Sequence, residues 1–227
     1  MRVAVTRSGA AQQAWFETTA ITALPCNDAV ALQHWLAQSR QGIIVRLGDE
    51  DWLQPSLALQ SCMVVDARHC WFEQVIHDAA AFTEAGGAYL SQLPPDPLWA
   101  GWPLAWGGPT AQVRQLEAGL QRCGMTRPGW QAGPVGSSHF MWVVLETLRY
   151  RWLSQWQRWL TGEPLPSIEQ WQALLQADQQ LYGWLQQVAA RYAACAPKDV
   201  VTEVDFAAIL AGWCQALAPL ANAEHPG

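Results

Sequence analysis

The chain has 227 residues, enough for one large domain or two small ones, and 51% of them are hydrophobic, enough to bury a proper core. Only 14% are charged and the formal net charge is −6, which argues against a nucleic-acid partner, since such a partner calls for a basic face. No apolar run reaches the roughly eighteen residues of a membrane span, so no membrane association is expected.

Residues 2–6, Arg-Val-Ala-Val-Thr, suit a first buried strand, and the N-terminus has no signal-peptide core. A cytoplasmic location is the expectation. The following stretch, Arg7-Ser-Gly-Ala-Ala-Gln-Gln, falls where a dinucleotide-binding domain places G-x-G-x-x-G. Only Gly9 is present. One glycine cannot supply the tight turn, the close approach to pyrophosphate and the close helix packing together, so Gly9 is expected to be a turn residue and no cofactor is expected.

Asn27 or Asp28 can cap a helix to about Ser39, with Ala29, Leu32, Trp35 and Leu36 on one face. Ile43-Ile-Val-Arg-Leu is a compact β-branched run and predicts a strand. Asp49-Glu-Asp predicts the start of a short acidic helix, and Cys62-Met-Val-Val-Asp66 the next strand. Glu73–Glu84 predicts a helix stopped by Gly86-Gly87, then Ala88-Tyr-Leu a short strand. Pro103–Gly108 predicts a strand and turn, and Gln112–Cys123 a helix. Strands and helices therefore alternate up to Gly124, the pattern of a mainly parallel sheet. The connection Thr126–Gln131 carries Pro128 and Gly129 and predicts a domain boundary, giving units 1–127 and 128–227. Beyond it the pattern is helical. Ser137 or Ser138 can cap a helix to Thr161, and Ser167, with Gln170 at the capping-box spacing, one to Cys195. Thr202 is the expected cap of a last helix to about Leu217.

The six cysteines, Cys26, Cys62, Cys70, Cys123, Cys195 and Cys214, form no C-x-x-C pair and predict reduced thiols. Only Cys62, His69 and Cys70 lie near one another, and no metal is expected.

The stretch Gly133–Tyr150, G-P-V-G-S-S-H-F-M-W-V-V-L-E-T-L-R-Y, is a glycine-rich turn running into a long helix. Met141, Val144, Leu145, Leu148, Trp152, Trp156 and Trp159 recur at three- and four-residue steps and make one apolar stripe. It resembles the opening of the helical domain of 6-phosphogluconate dehydrogenases and their 3-hydroxyacid dehydrogenase relatives, G-P-x-G-A-G-H-x-V-K-M-V-H-N-G-I-E-Y. Gly133, Pro134, Gly136, His139, Val144 and Tyr150 match identically; Phe140, Val143 and Leu148 match in kind. Val64–His69 and Pro103–Gly108 resemble the family's I-I-D-G-G-N-S and S-L-M-P-G-G more weakly. The resemblance implies a degenerate Rossmann-like α/β domain followed by an all-α domain that normally dimerises. Against that family, about one helix–strand unit is missing between Gly9 and Asp28.

The departures fall on the chemistry. Trp142 stands where the family has its catalytic lysine, Leu145 and Glu146 where it has a substrate-binding His-Asn pair, and Arg149 where it has the catalytic glutamate. Tryptophan has no basic lone pair to accept a proton, and arginine stays protonated at any working pH. Two readings remain open. One is an inactive relative kept as a binding, assembly or regulatory protein, as a homodimer or with a protein partner. The other is an enzyme or metabolite binder with a re-purposed pocket drawn from Asp66, His69, His139, Trp142, Glu146, Arg149 and Tyr150. In that pocket His139 is either a general acid–base or a brace for the turn. Fifteen tryptophans exceed what a core of this size is expected to absorb. Trp152, Trp156 and Trp159 are the expected interface residues, with an intramolecular core as the other reading.

Overall fold

The computed structural model describes residues 2–7, 9–38, 41–49, 52–55, 62–96, 104–160 and 167–221. In chain order the elements are β1 (Arg2–Val5), α1 (Ala10–Thr19), β2 (Leu24–Pro25), α2 (Ala29–Gln38), β3 (Gly42–Arg46), β4 (Cys62–Asp66) and α3 (Phe72–Glu84). There follow β5 (Ala88–Gln92), β6 (Leu104–Gly107), α4 (Thr110–Arg122), β7 (Gly129–Gly133), α5 (Ser137–Leu160), α6 (Ile168–Cys195) and α7 (Phe206–Ala221).

The strands form one sheet in the order β2-β1-β3-β4-β5-β6-β7. All neighbours are parallel except β5 and β6, so β6 and β7 run against the rest. The two-residue alternation of a strand decides which side chain goes to which layer. Val3, Val5, Ile43, Val45, Met63 and Val65 pack with Trp15 of α1 and Leu116 of α4 on one face. Ala4, Ile44 and Val64 pack with Leu32 and Trp35 of α2 and Val75 and Phe82 of α3 on the other. Both faces are covered, which is why β3 and β4 are buried along their whole length and apolar up to the charged residues at their carboxyl ends. A third cluster belongs to the helices: Phe140, Met141 and Val144 of α5, Leu185, Val188 and Tyr192 of α6 and Ala207 and Ala211 of α7 close over Phe72. The Phe140 and Tyr192 rings stack 4.3 Å apart at 11°.

The sheet is one strand short of the 3-2-1-4-5-6 order of dinucleotide-binding domains, because among the described residues nothing pairs outside β2. That strand and its helix are the missing unit. Residues 10–25, to which the sequence pattern assigns no element, form α1 and the two-residue β2.

Four further local expectations are corrected. The connection Thr126–Gln131 holds the start of β7, a strand bonded in parallel to β6, so the sheet continues to Gly133. Of the predicted acidic helix, residues 50, 51 and 56–61 lie outside the described residues, and Asp49 and residues 52–55 are not helical. Neither Ser137 nor Ser138 turns its hydroxyl to the helix end: Ser138 Oγ donates to Ser91 Oγ at 2.8 Å, and Ser137 Oγ is buried without a partner among the described residues. The last helix starts at Phe206, and its cap is Asp205, whose Oδ1 accepts from Ala208 N–H at 2.9 Å, in place of Thr202. The Asp28 cap on α2 forms, with Oδ1 accepting from Ala31 N–H at 2.7 Å, and so does the Ser167–Gln170 capping box on α6.

Candidate functional site

The carboxyl ends of β3 and β4 lie side by side, with Arg46 and Asp66 in register. Charges at those two positions enter the interior where α3 and the start of α5 cross the sheet. Asp66 is fully buried, and Arg68, two residues on, is 2% exposed. The Arg68 guanidinium grips Asp66 with two bonds, Nε to Oδ1 at 2.9 Å and Nη2 to Oδ2 at 2.6 Å, and its backbone N–H adds a third at 3.1 Å. Arg68 also reaches Asp49 at 2.6 Å and Asp78 of α3 at 2.7 Å. Arg46 shares Asp78 at 2.6 Å, and the Tyr89 hydroxyl donates to Asp66 Oδ2 at 2.6 Å. Burial alone would push the Asp66 carboxyl up; the Arg68 hydrogen bonds, the charges of its basic neighbours and the Tyr89 hydrogen bond together outweigh it and hold the group below the usual carboxylate range. Burial pushes the Tyr89 phenol well up, with the Asp66 charge acting in the same direction, so it remains a neutral donor.

His139 enters this cluster from the first turn of α5. It is fully buried, and its Nε2 lies 3.0 Å from the Arg68 carbonyl oxygen. That contact requires a proton on Nε2, leaving Nδ1 as the bare nitrogen. Burial lowers its pKa to about 4, so the ring is neutral at pH 7. The Ser138 proton goes to Ser91, so the 3.4 Å approach of Ser138 Oγ to Nδ1 is weak. His139 ties the start of α5 to the loop after β4, and the glycines before it let the chain arrive there. Gly136 has φ +87°, and a Cβ on it would press into Ile76 of α3; Gly133 has φ +143°, and a Cβ there would strike the Asp205 carboxylate.

The other candidates lie outside this knot. His69 is exposed, with Nε2 3.1 Å from the Pro95 carbonyl and its ring edge-on to Trp142 at 5.3 Å. Trp142 is half-buried, and its Nε1 has no partner among the described residues. Further along α5, Glu146 and Arg149 close on one another, with Arg149 Nε 3.1 Å from both carboxylate oxygens. Tyr150 is 80% exposed. The structure thus gathers Asp66 and His139, sets His69 and Trp142 beside them, and leaves Glu146, Arg149 and Tyr150 on the helix surface. Trp152, Trp156 and Trp159 lie on α5, and their side chains fall outside the described residues.

The sequence reading passed over Arg46, Arg68, Asp78 and Tyr89, which do most to define the site. The available signal was a charge at the end of each of two adjacent apolar strands. The metal question also shifts. Cys70, Asp66 and His139 place ligand atoms within 4.8 Å of one another. Their chemistry does not suit a metal: both Asp66 oxygens are bonded to Arg68 or Tyr89, and burial pushes the Cys70 thiol up to about 12.

The dinucleotide cradle fares no better. Gly9 offers no side-chain cap to α1, and β2, whose end would carry the acidic ribose partner, has only two residues. The nearest following carboxylate, Asp28, caps α2.

No known family profile matches the chain, and no curated protein matches it in sequence. Solved structures do match in shape. An imine reductase from Myxococcus stipitatus, a V8 variant in complex with NAD+, superimposes with a TM-score of 0.50 at 13% identity, over 97% of this chain and 92% of that one. The fold is the imine reductase fold. An imine reductase from Aspergillus terreus in complex with NADPH4 and dibenz[c,e]azepine and a reductive aminase from the same organism in complex with NADPH and ethyl-5-oxohexanoate also match, with TM-scores of 0.47 and 0.45 and identities of 12% and 16%. They cover 99% and 89% of this chain, which spans 88% and 73% of theirs. The imine reductase fold is built on the 6-phosphogluconate dehydrogenase-like plan that the Gly133–Tyr150 stretch resembles: a Rossmann-like sheet followed by helices.

Proposed function

We propose that this chain is a catalytically silent relative of the enzymes that share its fold, and that it works by binding protein, as an assembly or regulatory subunit. The observation that carries this reading is the Asp66–Arg68 clamp. It fills the carboxyl ends of the central strands with charges that satisfy each other and leaves neither free to move a proton. Arg68 stays charged, Asp66 stays ionised, and His139 holds its proton toward a backbone carbonyl. Beside them an indole stands where the resembling enzymes carry their lysine.

Further support is compositional. The three α5 tryptophans beyond Arg149 and the exposed Trp71 and Trp213 suit a homodimer or a heteromeric partner better than an isolated subunit. The six cysteines are free, and no helix among the described residues is long and apolar enough to cross a membrane, which favours a cytoplasmic setting. The re-purposed pocket is the weaker alternative, because Glu146 and Arg149 are paired to each other and Tyr150 faces outward.

Calorimetry with NAD+, NADP+ and their reduced forms tests the silent reading. No binding is expected up to millimolar cofactor, and a low-micromolar dissociation constant for any of them overturns it. Trp142→Lys is likewise expected to give no reduction of NADP+ with 6-phosphogluconate, because the other catalytic and substrate-binding positions differ too and such residues act as a unit.

A further inference from the structure

The sixteen residues of α7 carry no charge, and Gln215 is the one polar side chain among them. The inner side of the helix is accounted for: Ala207, Ala211 and Cys214 are buried in the cluster shared with α5 and α6. The outer side is not. Phe206, Ile209 and Trp213 follow one another at helical spacing and are 38%, 64% and 48% exposed. Ala208, Gly212, Gln215 and Ala216 beside them are exposed too. A helix that is apolar all round belongs in an interior, and α7 has an interior on one side only.

At ~200 Å² for a large side chain in full exposure, the three ridge residues leave on the order of 300 Å² of apolar surface uncovered on one helix. The ridge is held in place. The Phe206 ring lies edge-on to Trp130 of β7 at 4.9 Å, and the Asp205 cap fixes the start of the helix. Its charges decide the occupant. A membrane surface does not fit, because an interfacial helix borders its apolar face with lysine and arginine; α7 has neither, and Glu203 and Asp205 stand before its first turn. A second copy does fit. The chain carries a net charge of −6, so two copies repel over much of their surface, and the outer half of α7 is a neutral face on which they can meet.

We infer that this face is the centre of a contact between two copies of the chain, related by a twofold axis that sets ridge and small residues of one α7 against the same face of the other. The inference rests on the protein-binding reading above and names its partner. A stable contact takes ~800 Å² from each side, so the ridge fills the middle of the patch, where hot spots sit, and the small residues and helix ends around it supply the rest.

Light scattering of the full chain after size exclusion tests it. The wild type is expected at twice the mass of one chain. Trp213→Glu and Ile209→Lys each put a charge on the ridge and are each expected to weaken association about a hundredfold, the scale of a hot spot, with helix content by circular dichroism unchanged. Leu24→Glu, at an exposed apolar residue of β2, is expected to remain a dimer. Hydroxyl-radical footprinting of the wild type reads the same contact without a substitution. Reactivity at Phe206, Ile209 and Trp213 is expected to fall as the concentration rises and dimer forms, while Phe16 and Leu24 stay reactive. The inference is overturned if the wild type is a monomer, if the dimer survives both ridge substitutions, or if the ridge stays reactive in the dimer. A wild-type monomer that binds no cofactor leaves the silent reading standing and ends this one; a dimer closed on α7 that binds NADPH does the reverse.

Discussion

Arg68 is the residue on which the strand-end knot depends. Its guanidinium meets Asp66, Asp49 and Asp78 from a position 2% exposed. Removing one partner of a buried pair leaves an uncompensated charge, so Arg68→Ala is expected to cost about 3–5 kcal/mol in urea unfolding. The double variant Arg68→Met with Asp66→Leu removes both charges and is expected to recover most of that loss. His139 sets a separate pH limit. Its pKa in the folded chain is lowered to about 4 from 6.5, so below pH 6.5 the unfolded chain takes up a proton that the folded chain refuses. The stability this supplies is complete above pH 6.5 and is lost as the pH falls toward about 4, a change of ~3 kcal/mol. Unfolding measured at pH 7 and pH 4.5 should show that loss in the wild type and a flatter profile in His139→Gln. The Asp66 contribution is lost only in more acid solution, since its folded value lies below the ordinary carboxylate range. Of these residues the sequence offered Asp66 and His139 through the resemblance. Arg68 was not legible, because nothing local tells a loop arginine that its partners come from 10 and 19 residues away.

Among the elements, the sequence was clearest where one periodic pattern governs a long segment. The α5 stripe places Met141 and Val144 at 2% and 0% exposure, and the α6 start follows from Ser167 and Gln170 alone. Ser167→Ala is expected to cost ~1 kcal/mol, read as a lower denaturation midpoint, with helix content reduced only at the start of α6. Strand β7 was hidden for a physical reason. Gly-Trp-Gln-Ala-Gly has no β-branched residue and begins and ends in glycine, so propensity argues against a strand. Its place comes from tertiary contacts: Gly129 lies against the Trp106 indole where a side chain would not fit, and Gln131 donates to the Gly108 carbonyl at 2.7 Å. Helix α1 was hidden because it has neither a side-chain cap nor an acidic first turn; Trp15, 1% exposed and bonded to Gln92 at 3.1 Å, anchors it.

At the scale of the molecule, the tryptophans in the far half of α5 bear on the oligomeric state. If these tryptophans form an interface, Trp156→Ala and Trp159→Ala stay folded by circular dichroism and shift to a smaller species in light scattering. If the wild type is already a monomer and both variants lose cooperative unfolding, those rings are internal and the interface expectation fails. The two sheet borders bear on the kind of partnership available. On one side β2 offers two residues, too short a ladder for a neighbouring chain to extend. On the other, β7 lies under α7, and its Gln131 side chain is bonded to Thr110 Oγ1 and Glu203 N–H. A molecule guarded at both borders resists growing by strand addition, so clumping on storage or heating should begin from opened helices and not from a ribbon running through the native fold.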